Sequence, residues 1–387
     1  MKPSTFLTHP FRLNGPSRLF AIVACLGTVM HGSIASAQAP PQRSGTRPTF
    51  DQVLQREDAN QDGEINRSEF KGPARLFDRL DRDGSGAITR KEFEARRPPN
   101  TNPPRQGRPT VPSDVIVQRD VVFGTGGGRD LKMHLVLPKD STTPRPAYVW
   151  IHGGGWMGGT KDGGVAKVTP MVRKGFVGAT IEYRLTGEAP FPAQIEDCKC
   201  AIRYLRAHAK DYNIDPDRIA VGGSSAGGHL VALLGTSGDA KDLEGSGGWQ
   251  DQSSKVQAVV DFFGPTDFQL FVTARGYENH NRDGSPESRL LGGGEVLSNP
   301  DGIKRVNPIT YIDKDDPPFL IIHGTKDGTV PPNQSEALHE ALDKVGVQNQ
   351  LHLIDGAGHG GSAFSAPEVN RMVETFLSDC FADPTAE

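Results

Sequence analysis

Cysteine is scarce in this chain, with four in 387 residues. That excludes a disulfide-stapled scaffold, so stability must come from a buried core. An excess of positive charge is also missing. Lys and Arg number 43 against 47 Asp and Glu, and no basic block stands out, so nucleic-acid binding finds no support. The apolar stretch near the N-terminus, residues 19–30, is too short to span a bilayer comfortably. Glycine (46) and proline (30) are abundant, as in a loop-rich α/β enzyme with linkers. The length exceeds what one ordinary core holds, which predicts a large domain with a smaller companion.

Residues 1–18 carry Lys2, Arg12 and Arg18 and no acid, the apolar stretch follows, and Ala35-Ser36-Ala37 offers a small-residue cleavage site. This is the pattern of a secretory signal peptide over residues 1–37, and it predicts an exported protein, periplasmic or extracellular, with no membrane span after cleavage. Ile22-Val23-Ala24-Cys25 also resembles a lipid-attachment motif, but the apolar run continues past Cys25. The three remaining cysteines, Cys198, Cys200 and Cys380, permit at most one internal disulfide, and their pairing is left open.

Residues 38–49 read as a linker. Two units of one design follow. The first places Asp58, Asn60, Asp62, Glu64, Asn66 and Glu69 around Gly63. The second places Asp81, Asp83, Ser85, Ala87, Thr89 and Glu92 around Gly86. Oxygen side chains stand at positions 1, 3, 5 and 9, glycine at 6, isoleucine at 8 and glutamate at 12. A hard Ca²⁺ ion needs six or seven oxygens, a backbone carbonyl comes from position 7, and the last glutamate closes the shell with two. Residues 50–95 thus resemble an EF-hand pair. The resemblance implies Ca²⁺ as a structural ion held by Asp58, Asn60, Asp62, Glu64 and Glu69, and by Asp81, Asp83, Ser85, Ala87 and Glu92. The loops begin only 23 residues apart with Gly72-Pro73 between them, so the connecting helices must be short. Residues 96–112, with six prolines, read as a stiff second linker.

From residue 113 to 382 strand and helix patterns alternate. Residues 115–123 and 131–137 flank Gly124-Thr125-Gly126-Gly127-Gly128 as a hairpin. Residues 147–151, 177–183, 219–221, 256–263, 319–323 and 351–354 read as buried strands. Residues 163–174, 193–212, 333–345 and 367–378 read as helices. In the second of these, Ile195, Cys198, Ile202, Leu205, Ala209 and Tyr212 mark one buried face, which leaves Cys200 off it. Such alternation predicts a doubly wound α/β fold with a mostly parallel sheet.

The chemistry centres on Gly223-Ser224-Ser225-Ala226-Gly227, a G-x-S-x-G pattern at a strand-to-helix turn. A serine hydroxyl is a poor nucleophile until a base takes its proton, and the base needs an acid to fix its tautomer. His359, in a glycine-rich loop after the last strand, is the expected base. Asp327, just past the preceding strand, is the expected acid, with Asp261 and Asp267 as rivals. His323 is expected to orient the Asp327 loop, and His339 and His352 to be structural. His229 is expected not to reach the hydroxyl. The oxyanion site is expected at the backbone N–H groups of Gly154, Gly155 and Ala226, with Trp156 as a further candidate. His152 is expected to hold that turn in place. No cofactor is needed for this catalysis.

The motifs His152-Gly153-Gly154-Gly155-Trp156, Glu182-Tyr183-Arg184, the serine turn through His229, Gly264-Pro265-Thr266-Asp267, Asp327 and His359 resemble the α/β-hydrolase esterases of the hormone-sensitive-lipase kind. They also resemble that family's secreted relatives among feruloyl and acetyl-xylan esterases. The resemblance implies a serine carboxylic-ester hydrolase acting on a small-molecule or carbohydrate ester through an acyl-enzyme. Two alternatives stand beside it: a serine peptidase of prolyl-oligopeptidase type, and a non-catalytic calcium-binding protein on a hydrolase scaffold. The 46 residues of the EF-hand pair cannot stand in for a peptidase propeller, and a complete triad speaks against a dead scaffold.

Overall fold

The computed structural model describes residues 50–71, 77, 80–81, 85–94, 113–140 and 142–382. The expected signal peptide with Cys25, both linkers and Asp83 lie outside these residues. Contacts divide the chain into two compact units, Met1–Arg105 and Gln106–Glu387.

In the smaller unit, helix α1 (Phe50–Glu57) precedes the first loop, strand β1 (Ile65–Asn66) leaves it, strand β2 (Ala87–Ile88) leaves the second loop, and helix α2 is Arg90–Glu94. Despite the short connection, β1 and β2 pair antiparallel, with Ile65 opposite Ile88. These isoleucines hold position 8 of their loops and are buried with Phe50, Val53 and Phe77. Gly63 and Gly86, at position 6, adopt φ of +85° and +88°, where a side chain would be strained.

The larger unit is an eight-stranded sheet. Strands β3 (Val115–Gly126) and β4 (Arg129–Pro138) form the hairpin, and only Gly127 and Gly128 make its turn, a tighter one than the five-residue stretch expected. Then come β5 (Arg145–Ile151), α3 (Gly164–Arg173), β6 (Val177–Ile181), α4 (Ala193–Ala207), β7 (Ile214–Ser224), α5 (Ala226–Thr236) and β8 (Ala258–Phe262). Short helices α6 (Phe268–Thr273), α7 (Pro286–Leu290) and α8 (Pro300–Val306) fill the segment after β8. Strand β9 (Phe319–Gly324), α9 (Asn333–Val345), β10 (Asn349–Ile354) and α10 (Pro367–Cys380) complete the unit. The order is β10-β9-β8-β7-β5-β6-β4-β3, parallel from β10 to β6 and antiparallel at β4 and β3.

Alternation along the strands builds two core layers. Val149, Ile151, Phe319 and Ile321 point to one face, where Cys198, Ile202, Leu230, Leu234 and Leu338 of α4, α5 and α9 cover them. Tyr148, Trp150, Leu320 and Ile322 point to the other, under Val168, Val172, Val373 and Leu377 of α3 and α10. Strands covered on both faces read as continuous apolar runs, as β5, β8 and β9 do.

One expectation is corrected and one is qualified. Strand β10 is not buried: it is the sheet edge, and each of its residues is half-buried or exposed. Cys200 stands off the face marked by Ile195, Cys198 and Ile202 but is not exposed: it is fully buried, because β3 and the 245–249 loop cover that second side of α4. A Cβ on Gly124 would lie 2.4 Å from Cys200 Sγ, so that glycine is what lets the strand lie so close. Cys198, Cys200 and Cys380 are all free thiols.

Candidate active site

Strand β7 runs through the middle of the sheet and leads directly into Ser225, which caps α5 with φ 56° and ψ −123°. This backbone region is unfavourable for a residue with a Cβ. It is held by hydrogen bonds on both sides: Ser225 N–H donates to Phe262 O at 2.9 Å and Ser225 O accepts from His229 N–H at 3.0 Å. The small neighbours have a clear steric role. A Cβ on Gly223 would sit 2.3 Å from Gly227 O, and one on Gly227 would sit 2.2 Å from Ile151 O.

His359 and Asp327 arrive on loops beyond β10 and β9. Those loops are tied to each other by Lys326 N–H donating to Ala357 O at 2.9 Å. His359 Nε2 is 2.9 Å from Ser225 Oγ and His359 Nδ1 is 2.7 Å from Asp327 Oδ2. A carboxylate beside Nδ1 fixes the ring proton there, so Nε2 is left to accept from the serine hydroxyl. Asp327 Oδ1 accepts from the N–H groups of Thr329 (2.8 Å) and Val330 (3.0 Å). Burial raises the Asp327 pKa, but His323, His359 and those two amides outweigh burial and hold it well below the usual carboxylate range. The Phe263 ring packs edge-on against His359, at 4.8 Å between centroids, from a backbone φ of 46°.

The rivals lie elsewhere. Asp267 caps α6 by accepting from Leu270 N–H at 3.1 Å. Asp261 is buried beneath α5, where its Oδ1 accepts from Gly264 N–H at 2.9 Å, and burial pushes its pKa up to about 6. His229 is fully buried and uses both ring nitrogens: Nδ1 accepts from Trp156 Nε1 at 3.2 Å and Nε2 donates to Val306 O at 2.8 Å. Burial lowers its pKa to about 4, which keeps the ring neutral. His339 meets Asn349 and Asp343 on the surface, and His352 stands on the edge strand β10.

A cavity of about 690 Å³ opens above Ser225, and Gly154, Gly155, Trp156, Ala226 and His359 share its wall. Gly154 and Gly155 adopt φ of +123° and +58°. A Cβ on Gly153 would meet Ser224 O at 2.5 Å, so the glycine turn lies directly against the serine turn. His152 fastens the turn. Its Nδ1 is 2.8 Å from Gly153 O, its ring stacks on Tyr183 at 4.4 Å, and the Tyr183 hydroxyl donates to His152 O at 2.9 Å. Trp156 is almost fully buried and also lines the cavity, so it is both plug and wall. Arg184, of the Glu182-Tyr183-Arg184 motif, forms an ion pair of 2.7 Å with Asp197 on α4 and braces the scaffold.

Residues that sequence reasoning passed over complete the cavity: Phe271, His280, Pro286, Glu287 and Thr329. Arg275 and Arg282, in the segment after β8, do not line it. The Tyr277 hydroxyl donates to the backbone oxygen of Asp327 and ties the segment after β8 to the acid loop.

In the smaller unit, the residues fit a calcium ion in one telling respect. Asp58 Oδ1 and Asp81 Oδ1, the first ligand position of each loop, are buried without a hydrogen-bond partner. The companion oxygens accept from Gly63 N–H (3.0 Å) and Gly86 N–H (2.9 Å), which is how each loop is wrapped. Glu69 accepts from the N–H groups of Ala59, Asn60 and Asn66, each at 3.1 Å, and Glu92 from Thr89 N–H at 3.0 Å. Among the described residues no three His, Cys, Asp or Glu side chains converge as a metal cluster.

Comparison with known proteins gives three family matches: BD-FAE over residues 133–342, TAP-like protein over 302–385, and EF hand over 50–72 and 74–95. Among curated proteins, esterase LipQ of Mycobacterium tuberculosis is 30% identical over 263 residues, covering 67% of this chain and 61% of its own length. The chain spans 54% to 61% of the length of this and the next two curated relatives. Among solved structures, a truncated carbohydrate esterase from gut microbiota superposes with a TM-score of 0.64 at 33% identity, covering 70% of this chain and 98% of that one. Esterase Est2 of Thermogutta terrifontis, solved with propionate bound, gives 0.57 at 27% identity over 70% and 96%.

Proposed function

The chain belongs to the BD-FAE family, and on that premise we propose that it is an exported serine hydrolase of carboxylic esters. The observation that carries the reading is the hydrogen-bonded chain from Ser225 Oγ through His359 to Asp327, at 2.9 and 2.7 Å, beside a glycine turn in an open cavity. His359 Nε2 takes the proton as Ser225 Oγ bonds to the ester carbonyl carbon. The oxygen that becomes negative is held by the N–H groups of Gly154, Gly155 and Ala226. Collapse of this intermediate expels the alcohol, which His359 protonates, and leaves an acyl group on Ser225. His359 then deprotonates a water that attacks the acyl carbon, and on collapse it returns that proton to Ser225 Oγ as the carboxylic acid departs. Asp327 keeps the ring in the reactive tautomer and stabilises its positive charge.

Export rests on the leader pattern of residues 1–37, and no helix among the described residues is long and apolar enough to cross a membrane. The EF-hand loops would hold Ca²⁺ through Asp58, Asn60, Asp62 and Glu69 and through Asp81, Ser85 and Glu92, with backbone carbonyls at Glu64 and Ala87. The buried, unpartnered oxygens of Asp58 and Asp81 support that reading.

The decisive experiment is turnover of p-nitrophenyl acetate by the parent and by Ser225→Ala. Loss of kcat/KM by about 10⁴-fold or more is expected, the scale on which serine triads fail when one member is removed. Full activity in the variant sinks the assignment.

A further inference from the structure

One wall of the catalytic cavity is not a continuation of the strand-and-helix scaffold. It is built by the segment after β8, and it contains two polar side chains that the esterase reaction as derived does not use. Glu287, the second residue of α7, lines the cavity yet is only 3% exposed. Its Oε2 lies 2.9 Å from Nδ1 of His280, which ends the one-turn helix Glu278–His280. The two residues are held in register by the Ser285 hydroxyl. That hydroxyl donates to His280 O at 2.7 Å and accepts from Ser288 N–H at 3.1 Å as the cap of α7. The His280 ring lies against Phe271, centroids 4.6 Å apart. Pro286, the chain neighbour of Glu287, has its Cβ 3.3 Å from where a Cβ on Gly155 would stand. The pair therefore borders the glycine turn at which the ester carbonyl is expected.

A buried carboxylate is costly unless it is paired and hydrogen-bonded. Among the described residues, His280 is the ion-pair partner of Glu287. With Nδ1–H donating to the carboxylate, the ring is fixed in one orientation and tautomer, and its Nε2 is left as a hydrogen-bond acceptor. Trp156, Met157, Phe263, Phe271 and Pro286 give the cavity a largely apolar wall. An alkyl ester needs only such apolar walls. A polar pair set into them, with its orientation locked by a second buried group, serves a substrate that brings hydroxyl groups of its own.

We propose that the Glu287–His280 pair is a specificity device, in which His280 hydrogen-bonds a hydroxyl on the alcohol half of the ester and Glu287 positions His280. Polyhydroxy character belongs to the alcohol half of a sugar ester, so the pair selects acetylated sugars over alkyl acetates of the same size. The proposal rests on the esterase reading above. One net hydrogen bond lost from a partly exposed site corresponds to about a tenfold change.

The test compares kcat/KM for methyl 2-O-acetyl-β-xylopyranoside with kcat/KM for cyclohexyl acetate, in the parent and in His280→Ala, Glu287→Ala and Glu287→Gln. The expected result is a sugar-to-alkyl ratio that falls about tenfold in His280→Ala and Glu287→Ala. Glu287→Gln, whose amide oxygen still accepts from Nδ1–H, should recover most of it. Equal losses on both esters would assign the pair a purely structural role and overturn the proposal, and so would an unchanged ratio. A parent protein that cleaves neither ester nor p-nitrophenyl acetate overturns the esterase reading itself. One that cleaves p-nitrophenyl acetate but does not favour the sugar ester overturns this proposal alone.

Discussion

His323 Nε2 lies 3.3 Å from Asp327 Oδ2, the same carboxylate oxygen that His359 Nδ1 meets at 2.7 Å. The other nitrogen of His323 is 2.7 Å from Ser335 Oγ on α9, so the buried ring connects the acid to the helix behind it. On the reading proposed above, His323 would act on the reaction only through Asp327, as a positioning residue.

The depressed pKa of Asp327 has a definite signature in stability. Burial opposes ionisation here, but the two histidines and two amides prevail. A carboxylate whose pKa is lowered by folding stabilises the protein fully above its unfolded pKa, about 3.9, and loses that contribution as pH falls through the folded value. Urea unfolding should therefore show a gap between the parent and Asp327→Asn that is constant above about pH 5 and narrows below about pH 4. A gap that persists undiminished in acid contradicts this.

Asp261 should behave in the opposite sense. Burial raises its pKa to about 6, so the folded state prefers the proton and the carboxylate weakens the fold once ionised. Between roughly pH 4 and 6 the folded chain binds more protons than the unfolded one, and stability falls as pH rises. Asp261→Asn, which keeps an acceptor for Gly264 N–H, should gain on the parent across that window by about 1–3 kcal/mol, read by denaturant titration at both ends. No change in the difference between the ends would remove Asp261 as a source of pH dependence.

Gly227→Ala tests the serine turn without touching the reacting groups. The new methyl would meet Ile151 O, a backbone atom in a central strand that cannot swing aside. Such overpacking costs about 1–3 kcal/mol. A lowered melting temperature is expected together with reduced esterase activity. Parent-like stability would mean that the turn relaxes more readily than its contacts imply.

Calcium should bind the smaller unit weakly, at about 10⁻⁴–10⁻³ M, as extracellular EF-hand modules do. Calorimetric titration of the whole chain should show the heat reduced in Asp58→Ala and in Asp81→Ala. The six-proline stretch 96–112 separates the loops in sequence from everything catalytic. Excess chelator should accordingly leave kcat within about twofold, the scatter ordinary for a surface change. A large loss of activity in chelator contradicts this.

Much of the scaffold was legible because its strands are buried on both faces. Runs such as Val149-Trp150-Ile151 and Phe319-Leu320-Ile321-Ile322 are apolar at every position and hard to mistake. Ser225, His359 and Asp327 stood out for a related reason: each follows a strand end and sits among glycines or in a short polar loop. Leu351 misled because an apolar strand residue looks the same at an edge as in the middle, and edge position depends on sheet order, which is non-local. The burial of Cys200 was not legible because helical periodicity reports one face, whereas β3 covers the other only after folding. His280 and Glu287 were invisible for a third reason. They are seven residues apart in a stretch with no regular period, and only the three-dimensional course of the chain brings them to the cavity.

Ile65 and Ile88 face each other across a bridge of two residues per strand, so neither EF-hand loop is an independent body. When an ion orders one loop, the strand leaving it is set in place, and the partner strand is set with it. The second ion then meets a loop whose ordering is already partly done, and it binds with less entropy left to lose. If the loops take calcium as proposed, two loops joined in this way should fill cooperatively, and a sigmoidal titration curve is the expected result.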